Sequence, residues 1–181
     1  MATQKWNIDP SHSGVHFTVR HMVISKVRGA FGRFAGVVDF DPENPAASKV
    51  SVKIDASSID TREPKRDEHL RSPDFFDVAK HPDITFVSTR VEKDGEDYKV
   101  TGDLTIHGVT KEVVLTAEYL GGGKDPWGNA RIGFAARATI NRKDFGLNWN
   151  QVLEAGGVLV GEKIELALDV EAVNAQAAQA A

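Results

Sequence analysis

No cysteine occurs among the 181 residues of this chain. Disulfide bonds, thiolate metal sites and a cysteine nucleophile are therefore excluded. The sequence also lacks any block of Lys and Arg, and its formal net charge is −4, so we expect no nucleic-acid partner. No stretch approaches the roughly 18 consecutive apolar residues of a membrane-spanning helix. A domain without these features must be held together by buried apolar side chains.

The two ends of the chain bear on the location of the protein and on the extent of its folded domain. The opening residues, MATQKW, contain no apolar run of the kind found in a secretory signal. We therefore expect a cytoplasmic protein, or a periplasmic one if a signal has been removed. The length predicts one domain, which we place at residues 1–173. Residues 174–181 are only Asn, Ala and Gln, and are expected to form a disordered tail.

Apolar residues fall on every second position in several segments. Val15, Phe17 and Val19 alternate with polar residues, and the same pattern recurs in residues 100–106 and 164–170. A period of two is typical of a β-strand with one dry and one wet face. We count eight such strands, joined mostly by short turns that favour antiparallel neighbours. The predicted fold is all-β, an eight-stranded antiparallel barrel, the size at which a closed barrel holds one small ligand.

One connection, residues 61–81, interrupts the strand pattern. Pro64 suits the first turn of a helix, and Ser72 followed by Pro73 resembles a second helix start. We therefore expect one or two short helices in this connection.

The inward-facing residues near the middle of each predicted strand indicate whether the barrel is hollow. Ala136 and Ala138 occupy consecutive inward positions of one strand, and Gly36 and Gly102 lie at inward positions of two others. A filled interior needs nearly crystalline packing density, so small residues at one level favour an elongated apolar cavity. The alternative is that long neighbouring side chains fill the space, namely Phe17, Phe31 and Phe86.

A dry cavity of this kind suits a long hydrocarbon. We predict that apolar strand residues and aromatic loop residues at its mouth bind the ligand. These residues are Val15, Phe17, Val19, Phe34, Phe75, Phe76, Phe86, Leu104, Ile106, Phe134, Ala136, Ala138, Trp149, Leu166 and Leu168. Trp127, in a glycine-rich loop, is a further candidate for the mouth. Arg20 and His21, at the end of the first strand of the barrel, are the candidates for a head-group contact.

Motifs for catalysis are weak. None of the six histidines belongs to a zinc-hydrolase motif, and no serine lies in the G-x-S-x-G context of a hydrolase. Asp144-Phe145-Gly146 matches a kinase tripeptide but lacks a glycine-rich phosphate loop. We therefore assign no catalytic residue, no metal site and no cofactor. A metal site built from His12, His16 and an acid is a weaker alternative.

Several longer motifs follow one another along the chain. The most specific is RDEHLRSPDFFD at residues 66–77, which is followed by HPDITF at residues 81–86. The others are WNIDPSHS at 6–13, GAF at 29–31, FAG at 34–36, SIDT at 58–61, GDLTIHGVTK at 102–111 and INRKDFG at 140–146. Together they resemble the YceI-like, polyisoprenoid-binding family from about residue 6 to residue 172.

This resemblance implies a lipocalin-like barrel that binds a long isoprenoid chain in its interior, often as a homodimer. The expected ligand is a polyprenyl lipid, an isoprenoid quinone or a related amphiphile, bound for transport, storage or sequestration. The expected partners are this lipid, a second copy of the chain and, transiently, a membrane surface. Two alternatives stay open: an enzyme acting on an isoprenoid at Arg20, His21 or the Trp149 loop, and a stress-response module with a structural lipid.

Overall fold

Eleven strands, most of them in antiparallel pairs along their full length, form one continuous sheet in the computed structural model, which describes residues 3–153 and 158–176. The strands are β1 (Gln4–Ile8), β2 (Gly14–His21), β3 (Ser25–Phe31), β4 (Phe34–Phe40), β5 (Lys49–Asp55), β6 (Ile59–Asp60), β7 (Asp83–Asp94), β8 (Asp97–Ile106), β9 (Val109–Lys124), β10 (Ala130–Asn141) and β11 (Val160–Asn174).

The sheet closes on itself through eight of these strands. Its order is β1-β4-β5-β7-β8-β9-β10-β11, and β11 pairs back to β1. The predicted all-β, eight-stranded antiparallel barrel is therefore confirmed. Strands β1 and β4 form part of the wall at one end of the barrel, and β2 and β3 form the corresponding part at the other end. This follows because β2 pairs with the first half of β11 and β3 pairs with β2.

The sheet has eleven strands around eight positions because two of the long strands are broken and the two-residue strand β6 adds to the edge of β3. A 3-10 turn at Pro10–His12 separates β1 from β2, and Gly32 with Arg33 separates β3 from β4. Strand β1 is missed in the sequence reading because it is short and precedes a Pro-containing turn.

The connection between β6 and β7 contains one helix, α1 (Pro64–Arg71). This is within the expected one or two short helices. The residues after Ser72 form hydrogen-bonded turns, in which Phe76 N donates to Leu70 O at 3.0 Å. Arg71 anchors α1 to the barrel by donating to the carbonyls of Ser57 and Ile59. Within residues 3–153 and 158–176, no helix is long and apolar enough to cross a membrane.

Aromatic rings occupy the room left by the inward glycines. A Cβ added at Gly102 would lie 2.5 Å from Cζ of Phe86, and one added at Gly29 would lie 2.2 Å from Cζ of Phe17. Gly36 is covered by Ile8 in the same way. The expectation that Gly36 and Gly102 create empty space is therefore wrong, because neighbouring side chains fold over both positions.

The end of β11 extends further than expected. Asn174, placed in the disordered tail from the sequence, is the last residue of β11 and pairs with Trp6. Ala175 N then donates to Lys5 O at 2.9 Å. The remainder of the predicted tail, residues 177–181, lies outside the described residues.

The substitution Gly102→Ala tests the ring-over-glycine packing. Its Cβ would meet both the Phe86 ring and the Val87 carbonyl oxygen, at 2.5 and 2.6 Å. We expect it to lower the free energy of unfolding by about 1–3 kcal/mol, the usual cost of overpacking. The measurement is the midpoint of urea unfolding.

Gly32→Ala is the matched control, because a Cβ there meets nothing within 4 Å. We expect this variant to stay within about 1 kcal/mol of the unsubstituted protein. Equal midpoints for the two variants would contradict the packing described for Gly102.

Candidate functional site

An apolar cavity of about 260 Å³ lies inside the barrel. Its wall follows β11 from Val160 to Val170, ten residue steps of about 3.3 Å, so it extends about 30 Å along that strand. A volume this small spread over such a length describes a narrow tunnel. The predicted hollow barrel is thus present, although its empty space is not where the glycines lie.

The two sides of the cavity differ in how completely their residues are buried. Inward residues of β7, β8 and β9 are buried in the core: Ile84, Phe86, Leu104, Ile106, Val113 and Leu115. Inward residues of β2, β10 and β11 are only half-buried: Val15, Phe17, Val19, Phe134, Ala136, Ile164, Leu166 and Leu168. Because the second set points into the barrel and not to its outside, its remaining exposure is to the cavity.

The structure places all but two of the predicted wall residues on the cavity wall. Those on the wall are Val15, Phe17, Val19, Phe34, Phe75, Phe76, Phe86, Leu104, Ile106, Phe134, Ala136, Leu166 and Leu168. Ala138 instead packs against the buried core cluster, and Trp149 lies behind the wall. Whether the wall residues contact a ligand stays a prediction.

Aromatic residues cover one end of the cavity. Phe75 and Phe76 line it directly, and the Trp149 ring packs on Phe75 with ring centroids 5.4 Å apart. His69 packs edge-on against the same tryptophan at 4.7 Å and bonds to Asp74 at 2.8 Å. We call this group, His69, Phe75, Phe76 and Trp149, the aromatic cap. It joins the α1 connection to the segment that precedes β11.

Trp127 does not belong to the aromatic cap. Strand β9 continues to Lys124, so the expected glycine-rich loop is a tight hairpin, and Trp127 is 81% exposed at its tip. This hairpin lies at the opposite end of the barrel from the cap, since Arg131 pairs with Val173 and Asn141 pairs with Lys163. The sequence could not reveal this, because strand direction decides which loops share an end.

Arg20 and His21, the predicted head-group residues, are not part of the cavity wall. Arg20 follows the inward Val19, so its side chain points outward, where it lines a shallow groove with Lys26 and Lys163. His21 is the last residue of β2 and pairs with Val160. The two side chains therefore point to opposite faces of the strand.

Arg142 is a polar wall residue that the sequence reading missed. It is 3% exposed, lines the cavity and donates to the carbonyls of Gly161, Leu147 and Trp149 at 2.8, 2.6 and 2.9 Å. No carboxylate forms a salt bridge with it among the described residues, and burial lowers the pKa of its guanidinium. The signal was available, because Arg142 is two positions after the inward Ile140.

Within the part of the chain that the structure describes, two groups of three histidine and acidic side chains lie outside the cavity. In the first, Asp9, His12 and Glu171 come together, but His16, predicted to join His12, does not. Arg131 occupies the centre of this group: its Nη1 donates to Asp9 at 2.8 Å and to Glu171 at 2.7 Å. The group is therefore an ion-pair network that fastens the break between β1 and β2 to β10 and β11. The second group contains Asp77, His81 and His107.

Charges in the Arg131 network shift the titration of its acids. Hydrogen bonds from Ser11, Arg131 and His12 hold the pKa of Asp9 well below its usual range. The Nε of Arg131 donates to Asp125 at 2.8 Å and lowers the pKa of that carboxyl from 3.8 to about 2. Both acids therefore favour the folded state when ionised.

Comparison with known proteins agrees with this architecture. The family model described as a YceI-like domain matches residues 6–172. This chain belongs to the YceI-like family. The UPF0312 protein PC1_2518 of Pectobacterium carotovorum is 45% identical over 173 residues, covering 96% of this chain and 87% of that protein. The resemblance drawn from the sequence motifs is thereby confirmed.

Solved structures of this architecture include BcnA of Burkholderia cenocepacia. It superimposes with a TM-score of 0.80 and 25% identity, covering 91% of this chain and 98% of BcnA. A domain from Saccharophagus degradans, described as polyisoprenoid-binding, has a TM-score of 0.67 and 16% identity, covering 95% of this chain and 99% of that domain. At this identity the second comparison shows the shared fold.

Replacing Arg131 with Met tests the ion-pair network through its pH dependence. A carboxyl with a lowered folded pKa stabilises the protein above its unfolded pKa and loses that effect as the pH falls through the folded value. We expect the stability difference between the two proteins to be full near neutral pH and to shrink as the pH falls from 3.8 to about 2. Urea unfolding at a series of pH values measures it.

Arg137→Met is the control on the same strand, since Arg137 is exposed and lies 3.9 Å from its partner Asp97. We expect little change in stability at any pH, as for most surface ion pairs. A stability loss for Arg131→Met that stays constant down to pH 2 would mean that packing, not ion pairing, explains its effect.

Proposed function

We propose that this YceI-like barrel binds a long-chain isoprenoid lipid in its cavity and carries or stores that lipid. The observation that carries the proposal is the narrow apolar tunnel along β11 with its half-buried wall. Apolar side chains left facing an internal space gain free energy when a hydrocarbon covers them, at roughly 25 cal/mol per Å² of buried area.

The shape of the cavity favours a chain over a compact ring system. Ligand sites usually measure about 300–1,000 Å³, and this cavity of about 260 Å³ is drawn out along a whole strand. A linear, methyl-branched chain matches such a long, narrow space better than a compact ring system does. The printed description of the Saccharophagus degradans domain, polyisoprenoid binding, supports the same ligand class here.

Arg142 is a buried cation among the residues that line the tunnel. A buried cation is costly unless hydrogen bonds or an opposite charge compensate it, and its bonds to Leu147, Trp149, Val160 and Gly161 are all to carbonyl oxygens. A lipid whose head group carries a carbonyl or an anionic oxygen would place an acceptor there. We therefore propose that the head group lies near Arg142 and not at Arg20 or His21.

The energetics of such a ligand imply exchange with a membrane. Burying a methylene from water is worth about 0.8 kcal/mol, so a 40-carbon chain would give roughly 30 kcal/mol. That value exceeds the ceiling of about 20 kcal/mol for non-covalent binding. We therefore propose that the protein takes the lipid from a bilayer, where the hydrocarbon tail is already out of contact with water. Such an exchange requires a protein surface that contacts the bilayer.

The hairpin between β2 and β3 supplies such a surface. Its loop, Met22 to Ile24, is apolar, with Val23 65% and Ile24 82% exposed. Val23 has a φ of 66°, a conformation that β-branched residues rarely adopt. Arg20 and Lys26 pair across the hairpin directly behind this loop. An apolar tip backed by cations matches an anionic membrane surface, and we propose that the tip docks there.

The other expectations are less well supported. For the enzyme alternative, none of Arg20, His21 and Trp149 lines the cavity. Arg20 lies in an outer groove and Trp149 packs behind Phe75. No observation favours the stress-response alternative. The homodimer and the cytoplasmic location stay predictions, to be tested by light scattering on the purified protein and by cell fractionation.

The substitution Ala136→Trp tests the cavity. Ala136 lies on the half-buried wall, so an indole there fills the tunnel. Mass spectrometry of an organic extract should find a stoichiometric isoprenoid in the unsubstituted protein and at least tenfold less in the variant. Titration of delipidated protein with a prenyl quinone should give the same ranking.

Ala167→Trp is the control, because Ala167 neighbours Leu168 on β11 but is exposed on the outer face. It should retain the lipid. Full lipid uptake by a folded Ala136→Trp protein would show that the ligand does not enter the tunnel.

The double substitution of Val23 and Ile24 by Asp tests membrane docking. It removes two exposed apolar side chains and adds negative charge beside an anionic surface. We expect its partitioning to vesicles of phosphatidylglycerol and phosphatidylcholine to fall at least about tenfold, measured by co-sedimentation.

Val114→Asp combined with Leu120→Asp adds the same charge to exposed apolar positions of β9 and should leave partitioning almost unchanged. A tip variant that binds vesicles normally but turns a dimer into a monomer would assign the loop to a second copy of the chain instead.

A further inference from the structure

We propose that Asp77, His81 and His107 bind a divalent transition metal ion, with zinc as the best match. One carboxylate oxygen and one imidazole nitrogen from each histidine all lie within 4.8 Å of one another. In loaded zinc sites the ligand atoms are about 2.0–2.2 Å from the metal, so a modest inward rotation of partly exposed side chains completes the site. Two imidazoles and one carboxylate leave a fourth position open for water.

The three ligand atoms are free to coordinate. Among the described residues, no hydrogen bond or salt bridge involves the side chain of Asp77, His81 or His107. All three side chains are partly exposed, so an ion in solution can reach them. A carboxylate and two imidazoles that face one another without other partners are the arrangement that a metal ion would satisfy.

The backbone at the site is shaped to bring these side chains together. Asp77 and His107 have φ angles of 47° and 55°, a left-handed conformation that non-glycine residues adopt uncommonly. Gly108, with a φ of 71°, lies against His81: an added Cβ would be 2.8 Å from its Cε1. Strained backbone of this kind is often found at functional sites. A larger residue at position 108 would displace the His81 ring.

The other histidine–acid group lacks these properties. In that group Arg131 donates to both Asp9 and Glu171, and Asp9 also bonds to His12 at 2.9 Å. The guanidinium therefore occupies the position of a metal ion and would repel one. Of the two groups in residues 3–153 and 158–176, the Asp77 group is the one whose ligand atoms have no cation beside them.

A metal ion at this site would tie together separate segments at one end of the barrel. The first segment, with Asp77 and His81, follows Phe76 of the aromatic cap. The second is the turn between β8 and β9, which contains His107, and the third is the turn after β10, which ends at Gly146. A Cβ added at Gly146 would be 3.2 Å from His107 Nδ1, so all three segments meet at this imidazole. Metal binding would therefore stiffen the end of the barrel that carries Phe75 and Phe76.

The experiment is a titration of the full-length chain with ZnCl₂ after EDTA treatment. Long-range ¹H–¹⁵N spectra should show that two of the six histidine rings shift with one equivalent of zinc, both with the Nε2 or Nδ1 shift of a metal ligand. Calorimetry should give one site, and the thermal midpoint should rise with zinc and return with EDTA. Because this measurement uses the unsubstituted protein, it does not depend on any variant folding.

Two substitutions assign the shifts. His81→Ala removes one imidazole, and His107→Asn removes the other while keeping a residue that tolerates a positive φ. Each should weaken zinc binding at least about 100-fold, beyond the loss seen when only an outer partner of a metal ligand is removed. His16→Ala, at an exposed strand position, should bind zinc like the unsubstituted protein.

Two results would overturn the proposal. One is an absence of histidine shifts and of heat at zinc concentrations up to 1 mM, roughly the weak limit of specific binding. The other is zinc binding that survives in His81→Ala and His107→Asn but is lost in His12→Ala, which would assign the metal to the Arg131 network.

Discussion

The double pairing of β11 is the constraint on which the rest of the molecule depends. This strand pairs with β10 along most of its length, while on its other side the first half pairs with β2 and the second half with β1. A single strand thereby closes the barrel at both levels. It also fixes the register that turns Ile164, Leu166 and Leu168 inward, because a slip of one residue would turn them all outward.

The cavity exists because the barrel is packed unevenly. Phe86 lies over Gly102, on the side where the inward residues of β7, β8 and β9 are buried in the core. Across the barrel, Ala136 of β10 and the inward residues of β2 and β11 are only half-buried. A dry space of this kind costs dispersion energy, which a bound hydrocarbon would restore. The cap of Phe75, Phe76 and Trp149 limits water entry at one end.

Strand alternation made much of this architecture predictable. The inward positions of β2, β8, β10 and β11 follow from a period of two, so the wall residues on these strands were readable from the sequence. The same alternation continues past the end of β10 to Arg142, two positions after the inward Ile140. The pattern of apolar residues does not single out Arg142, because its side chain is charged. The aromatic cap was only half predictable: the sequence suggested Phe75, Phe76 and Trp149, but also Trp127 from the opposite end.

Alternation and turn residues predicted the barrel class and most strand positions, because these patterns act over a few residues. The longer motifs predicted the family. Tertiary structure decided what lies together across long separations. It placed His107 beside Asp77 and His81, put Arg131 between Asp9 and Glu171, and set Arg20 outside the cavity. The physical reason is that these relations depend on the register and closure of the sheet, which arise from many pairings at once and not from any local pattern.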